Sequence, residues 1–307
     1  MSTVSVGMTA VTPDAIHGAS TRAIAAAGLD HVVCGDHVSF FTGAGFDGLI
    51  AATHELASAP TLGAFVAVYL LPLRHPVPVA RQLASIAERH PGRLVFGVGV
   101  GGEDPHEFEI CGVDPRTRGR RMDESLGILR DLLTGASVTH HGEFFDLDEA
   151  VILPVPQPAI PIIVGGRSDV ALRRVARLAD GWIGIWNSAR RFEEATALID
   201  DHASAAGRRN VAWQHAMQVW CGIGSDPTDG RAAVAPAMAG MYGLPFERFE
   251  RYSPCGSAET IAEFLAPYVA AGCRTFNLIA CAADLDTAVG GAADVRRYLN
   301  ELTSPGA

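Results

Sequence analysis

Eight short apolar runs recur from end to end of the chain, and a helical pattern separates each from the next. They are VSVGM (4–8), HVVCG (31–35), LGAFVAVYL (62–70), RLVFGVG (93–99), PIIVG (161–165), GWIGIW (181–186), WQHAMQVWCGIG (213–224) and TFNLIA (275–280). Most are continuous rather than alternating, as strands are when helices cover one face and other strands' side chains the other. That pattern predicts a parallel sheet built from β-α units.

The intervening helices have readable ends. Asp14 and Gly28 bracket the first, in DAIHGASTRAIAAAG. Met122, Leu126, Leu129 and Leu133 form one apolar stripe. Ser168 opens a helix that is expected to turn Val170, Val175 and Leu178 inward, and Ser257 and Gly272 bound another. With no low-complexity linker and no break in composition, eight units in a row predict an α/β fold, a single (β/α)8 TIM barrel over residues 1–307. Irregular insertions at about 136–160 and 225–256 are expected on its C-terminal face, where they would shape a pocket. The first reads as a short hairpin followed by an extended approach to strand five.

Composition excludes several classes. The net charge is −10 and no basic run exceeds two residues, which argues against a nucleic-acid surface. The N-terminal MSTVSVGMTAVTPD lacks a basic segment followed by an apolar core, so no signal peptide is expected. No apolar stretch approaches the ~20 residues that span a bilayer. The six cysteines are scattered, without metal spacing, and read as reduced thiols of a cytoplasmic protein.

Four segments carry candidate chemistry. CGDHVSFF puts Asp36 and His37 just after strand two, where a barrel keeps catalytic residues; the alternative is a capping Asp and a packing His. In GVGVGGEDPHEF, Gly97, Gly99 and Gly102 match G-x-G-x-x-G, yet no acidic strand end follows at the Rossmann interval. Gly99, Gly101 and Gly102 would instead bring bare backbone to a ligand. At Gly165, Gly166, Arg167 and Ser168, free N–H groups, a hydroxyl and a guanidinium converge on an anion site, or form only an N-capped helix start. Trp186, ending strand six, sits at the expected rim. No metal is expected: adjacent His140 and His141 would face opposite ways on a strand, and His106 with Glu103, Asp104 and Glu107 fits no metal pattern.

Taken together, AAAGLDHVVCGDHVSFF, LPLRHPVPVARQLASI, GRLVFGVGVGGEDPHEFEICGVDPRTRGRRMDESLGILRDLLTG, IIVGGRSDVALRRVARLADGWIGIW and GSAETIAEFLAPYVAAGCRTFNLI resemble the bacterial luciferase-like flavin and deazaflavin family, in its coenzyme F420-dependent oxidoreductase branch. The resemblance implies a barrel with the cofactor ring over the C-terminal strand ends and Asp36 and His37 beside it. It also implies a cis peptide at Ala67–Val68 supporting the ring, a glycine loop at Gly99–Gly102, and phosphate binding at Gly165–Ser168. A homodimer is expected by the same resemblance. The chain departs from the sugar-phosphate members: Ser39, Phe40 and Phe41 follow His37 without a Trp, Gly102 precedes Glu103, and lysine is absent throughout. A phosphorylated sugar is therefore disfavoured as substrate.

The reading is an oxidoreductase moving a hydride between coenzyme F420 and a small organic substrate, with His37 exchanging a proton and Asp36 positioning it. An FMN-dependent monooxygenase and a non-catalytic flavin-binding protein are its rivals. Arg173, Arg174, Arg177, Arg190 and Arg191 are candidates to line a groove for the F420 tail.

Overall fold

The computed structural model describes residues 4–11, 21–41 and 43–303. Its strands are β1 (Ser5–Val11), β2 (His31–Cys34), β3 (Gly63–Leu70), β4 (Leu94–Gly99), β5 (Ile162–Gly165), β6 (Gly181–Ile185), β7 (Ala216–Ile223) and β8 (Thr275–Cys281). Each pairs in parallel with its chain neighbour, and β8 returns to β1 through Ser5↔Thr275, closing an eight-stranded barrel. All eight coincide with the apolar runs of the sequence.

Helices follow the strands in turn: α1 (Thr21–Ala26), α2 (Gly48–Ser58), α3 (Pro76–Arg89), α4 (Arg118–Leu132), α5 (Asp169–Leu178), α6 (Ala189–Ala205), α7 (Ala258–Ala270) and α8 (Leu285–Thr303). The expected start of the first helix at Asp14 lies outside the described residues. Side chains alternate across the strands. Val33, Phe65, Ala67, Ile163, Ile183 and Ala216 fill the barrel, while Val32, Val66, Val164, Trp182 and Leu278 face outward onto the helices. Burial on both sides is why the runs are continuous.

The helix starts expected at Ser168 and Ser257 are capped by those hydroxyls, which accept from the N–H groups of Ala171 and Thr260. Each such cap stabilises a helix by about 1 kcal/mol. Met122, Leu126 and Leu129 are buried as the stripe requires, and Val175 is buried on α5. Val170 corrects the reading: it is 53% exposed, because position two of α5 falls on the outer face of the first turn.

The insertion after α4 is a hairpin, with Val138–His141 antiparallel to Asp146–Ala150. The insertion after β7 forms a helix, Pro227–Tyr242, and two 3₁₀ turns. No described helix is long and apolar enough to cross a membrane.

Candidate active site

A cavity of about 530 Å³ opens at the C-terminal ends of the strands. That size suits a small molecule or cofactor ring. Its floor is the barrel's own apolar filling, with Val33, Ala67, Val68, Ile183 and Ile279. Its polar lining includes Asp36, His37, Gln218 and Arg167.

After β2 the chain forms a small hairpin, His37–Phe40 against Ala44–Phe46. His37 stacks on Phe40, ring centroids 4.0 Å apart, and its side chain is 18% exposed. Its Nδ1 lies 3.2 Å from Oε2 of Glu107, whose side chain is buried. The same carboxylate accepts from the backbone N–H groups of Val38 (2.6 Å) and Ser39 (3.2 Å). A carboxylate can only accept, so Nδ1 carries the proton and Nε2, without a partner among the described residues, is left as an acceptor on a ring that lines the cavity. Asp104 adds a bond from Phe41 N–H at 2.7 Å. Two acids from the segment after β4, Asp104 as N-cap and Glu107 on the short helix Pro105–Ile110, thus hold the loop that carries His37.

Asp36 does not position His37. Nη1 and Nη2 of Arg74 donate to its two oxygens at 2.6 and 2.9 Å, and the N–H groups of Leu70 and Gly48 complete the shell. Burial pushes its carboxyl above the usual range, against the pull of Arg74 and those donors. Asp36 therefore ties β2 to the exit of β3 from beneath the cavity. His106 also turns away, facing Glu109 in solvent.

The Ala67–Val68 peptide is cis, at the expected bond, and the β3–β4 pairing shifts between Val66 and Tyr69 around it. Gly99, Gly101, Gly165 and Gly166 line the cavity with Ala67, Val68 and Trp186. Gly166 has φ +130°, and a Cβ there would meet the Cβ of Ala171 at 2.7 Å, so only glycine fits. Arg167 lies over the Trp186 ring at 5.5 Å and has no carboxylate partner among the described residues.

Two expected site residues lie apart from this lining. Gly102 is exposed beside Arg118, and Ser168 is exposed with its hydroxyl engaged in capping α5. The arginine groove also shrinks: Arg174 is buried on Asp123 at 2.6 Å, while Arg190 and Arg191 pair with Glu194.

Of the two insertions, only that at 225–256 reaches the cavity, through Met241 and Tyr242; no residue of 136–160 lines it. There His140 and His141 bond different carboxylates, Glu124 and Asp146. No group of three metal-ligating side chains occurs among the described residues. Sequence reasoning missed Tyr242, Trp220, Gln218 and the roles of Glu107 and Arg74. For Glu107 the available signal was the acid-rich DPHE turn after a barrel strand.

Comparisons with known proteins agree with this architecture. An F420-dependent secondary alcohol dehydrogenase, solved with an F420-acetone adduct, superposes with a TM-score of 0.84 at 17% identity, over 97% of this chain and 99% of that one; the two share the fold. An uncharacterized protein of Mycobacterium tuberculosis is 41% identical over 152 residues, 50% of this chain and 52% of its own length. The F420-dependent glucose-6-phosphate dehydrogenase of Nakamurella multipartita is 33% identical over 197 residues, 59% of this chain and 56% of that protein. The chain spans about half the length of these curated relatives. Residues 15–266, from before α1 into α7, match the luciferase-like monooxygenase family model, and the chain belongs to that family.

Proposed function

We propose that the protein is an oxidoreductase that transfers a hydride between coenzyme F420 and a small organic substrate. One observation carries this reading: a histidine with Nδ1 tied to a buried carboxylate lines a cavity that bare glycine backbone also lines. The residues fit a planar deazaflavin. Gly99, Gly101, Gly165 and Gly166 line the cavity with backbone alone, and Arg167, without a carboxylate partner among the described residues, stands at the opening of α5 for a phosphate. When bound, the deazaflavin supplies a ring carbon that accepts or gives a hydride.

His37 exchanges the accompanying proton through Nε2. Glu107 holds the imidazole in the required tautomer and stabilises its cation once Nε2 is protonated. Ala67, Val68 and Ile183 would exclude water from the cavity floor. The reading takes the working form to be a cytoplasmic homodimer, which light scattering on the pure protein and cell fractionation check.

A second reading, an FMN-dependent monooxygenase, draws on the family match itself and on the loss of Arg174 from the tail groove. Titrating the protein with F420 and with FMN, following quenching of Trp186 and Trp220, separates the two. Micromolar binding of F420 is expected. Micromolar binding of FMN with none of F420 would overturn the first reading.

A further inference from the structure

One wall of the cavity is aromatic. Trp186 lies 5.1 Å from Tyr242 and 4.8 Å from Phe249 between ring centroids, and Trp220 lies 5.8 Å from Tyr242. Behind them pack Val234, Met238 and Phe246 from the 225–256 insertion, so the wall is a solid extension of the core. Trp186, Trp220, Met241 and Tyr242 reach the cavity directly, joined by Phe40, Phe46 and Ile185.

The charges around this space are mostly acidic. Glu55 and Glu103 line it with no arginine partner among the described residues, against one arginine, Arg167; Asp36, also in the lining, is balanced by Arg74. The neighbouring Arg74 is consumed by Asp36, and Arg231 on the insertion by Glu247 and Glu250. If Arg167 holds the cofactor's phosphate, no arginine lining the cavity remains among the described residues to receive a substrate anion. A phosphate or carboxylate would be desolvated there beside carboxylates, a costly arrangement.

Hydrogen-bonding groups are few. Trp220 Nε1 donates to the Tyr242 hydroxyl at 3.2 Å, which orients that oxygen and leaves its proton to donate elsewhere. Burial pushes the Tyr242 phenol up to about 12, so it remains a donor at neutral pH. The Gln218 amide lines the same space with no partner among the described residues. On this wall one or two substrate oxygens can be met.

We infer, resting on the hydride-transfer reading, that the substrate is a neutral alcohol or ketone with a predominantly apolar body, seated against Trp186, Trp220 and Tyr242. Oxidation of such an alcohol gives its carbon-bound hydrogen as hydride to the oxidised cofactor and its hydroxyl proton to Nε2 of His37, leaving the ketone.

The test uses the full chain and three probes in calorimetric titrations: F420, then cyclohexanone and glucose 6-phosphate, each with and without F420. Cyclohexanone is expected to bind at least about tenfold more tightly than glucose 6-phosphate. Tyr242→Phe, which keeps the ring and loses one hydrogen bond, is expected to weaken cyclohexanone by roughly fivefold to tenfold without changing F420 affinity. Glucose 6-phosphate binding as tightly as cyclohexanone, or F420 binding with no ketone binding, overturns the substrate class. Cyclohexanone binding without any F420 binding supports the neutral, apolar class and overturns the cofactor reading instead.

Discussion

Nδ1 of His37 sits 3.2 Å from Oε2 of Glu107, two residues 70 positions apart in the chain that meet where the turns after β2 and β4 cross. The carboxylate that orients the candidate proton carrier therefore comes from the glycine-loop segment. It also fastens the backbone N–H groups of Val38 and Ser39, so the imidazole and its loop are fixed by one group.

Glu107→Gln follows directly. The amide oxygen still accepts from Val38 and Ser39, but the amide nitrogen now faces Nδ1 and donates to it, forcing the other tautomer. Turnover in the alcohol-oxidising direction is expected to fall roughly tenfold or more, inside the ~10²–10⁴ that general base catalysis contributes. KM and thermal stability should change little. In a His37→Ala background the same substitution should add nothing. An undiminished kcat, or losses that multiply in the double variant, would remove the positioning role.

The pair of Asp36 and Arg74 makes a stability prediction. Arg74→Met strands a carboxylate whose side chain is wholly buried, and breaking a buried pair from one side costs about 3–5 kcal/mol. Arg74 retains some exposure, so the lower end is expected. Urea unfolding should show this loss, and Asp36→Asn added to Arg74→Met should recover part of it. A double variant no more stable than Arg74→Met would show that the stranded charge is not the cause.

What was legible follows from the range of the forces involved. The eight strands could be read because burial on both faces writes a continuous apolar run into each segment, whatever the rest of the chain does. The Ser168 and Ser257 caps could be read because a cap reaches only three residues ahead. Glu107 on His37 and Arg74 on Asp36 could not, since each pair closes only once neighbouring strands are in register. The five arginines looked alike in sequence, and Arg174 is distinguished by Asp123 and the Gly119 carbonyl, both on α4 and more than 50 residues away. Likewise, nothing local marks the 225–256 insertion as cavity wall and 136–160 as outer cover.

Gly166→Ala tests the glycine cradle. The φ of +130° is essentially closed to residues with a Cβ, and the new methyl would collide with Ala171, a strain of about 1–3 kcal/mol. Relief requires the turn before Arg167 to move, so F420 affinity measured by fluorescence titration should drop about tenfold. Gly28→Ala is the control: its φ is also positive, at +79°, but nothing lies within 4 Å, so stability should fall slightly and affinity stay unchanged. Equal affinity losses in both variants would mean that the effect is global rather than local.

Acid should destabilise the barrel through His215. Burial, the largest influence on it, holds this imidazole down to about 4, and its Nδ1 accepts the N–H of Trp182 at 3.2 Å, which requires the neutral ring. In the unfolded chain the same group titrates near its ordinary ~6.5. The unfolded state therefore binds the extra proton first. Stability is fully present above about 6.5 and declines as pH falls toward 4, by a total near 3 kcal/mol at ~1.4 kcal/mol per tenfold of proton affinity. Buried His31, bonded to Asn277 and also held below its ordinary value by burial, adds in the same direction. His215→Gln keeps an oxygen for Trp182 N–H without a titrating proton. Its urea midpoint should fall less steeply than wild type between pH 6.5 and 4.5, where most carboxylates are still ionised. Parallel slopes for the two proteins would show that His215 does not carry the acid sensitivity.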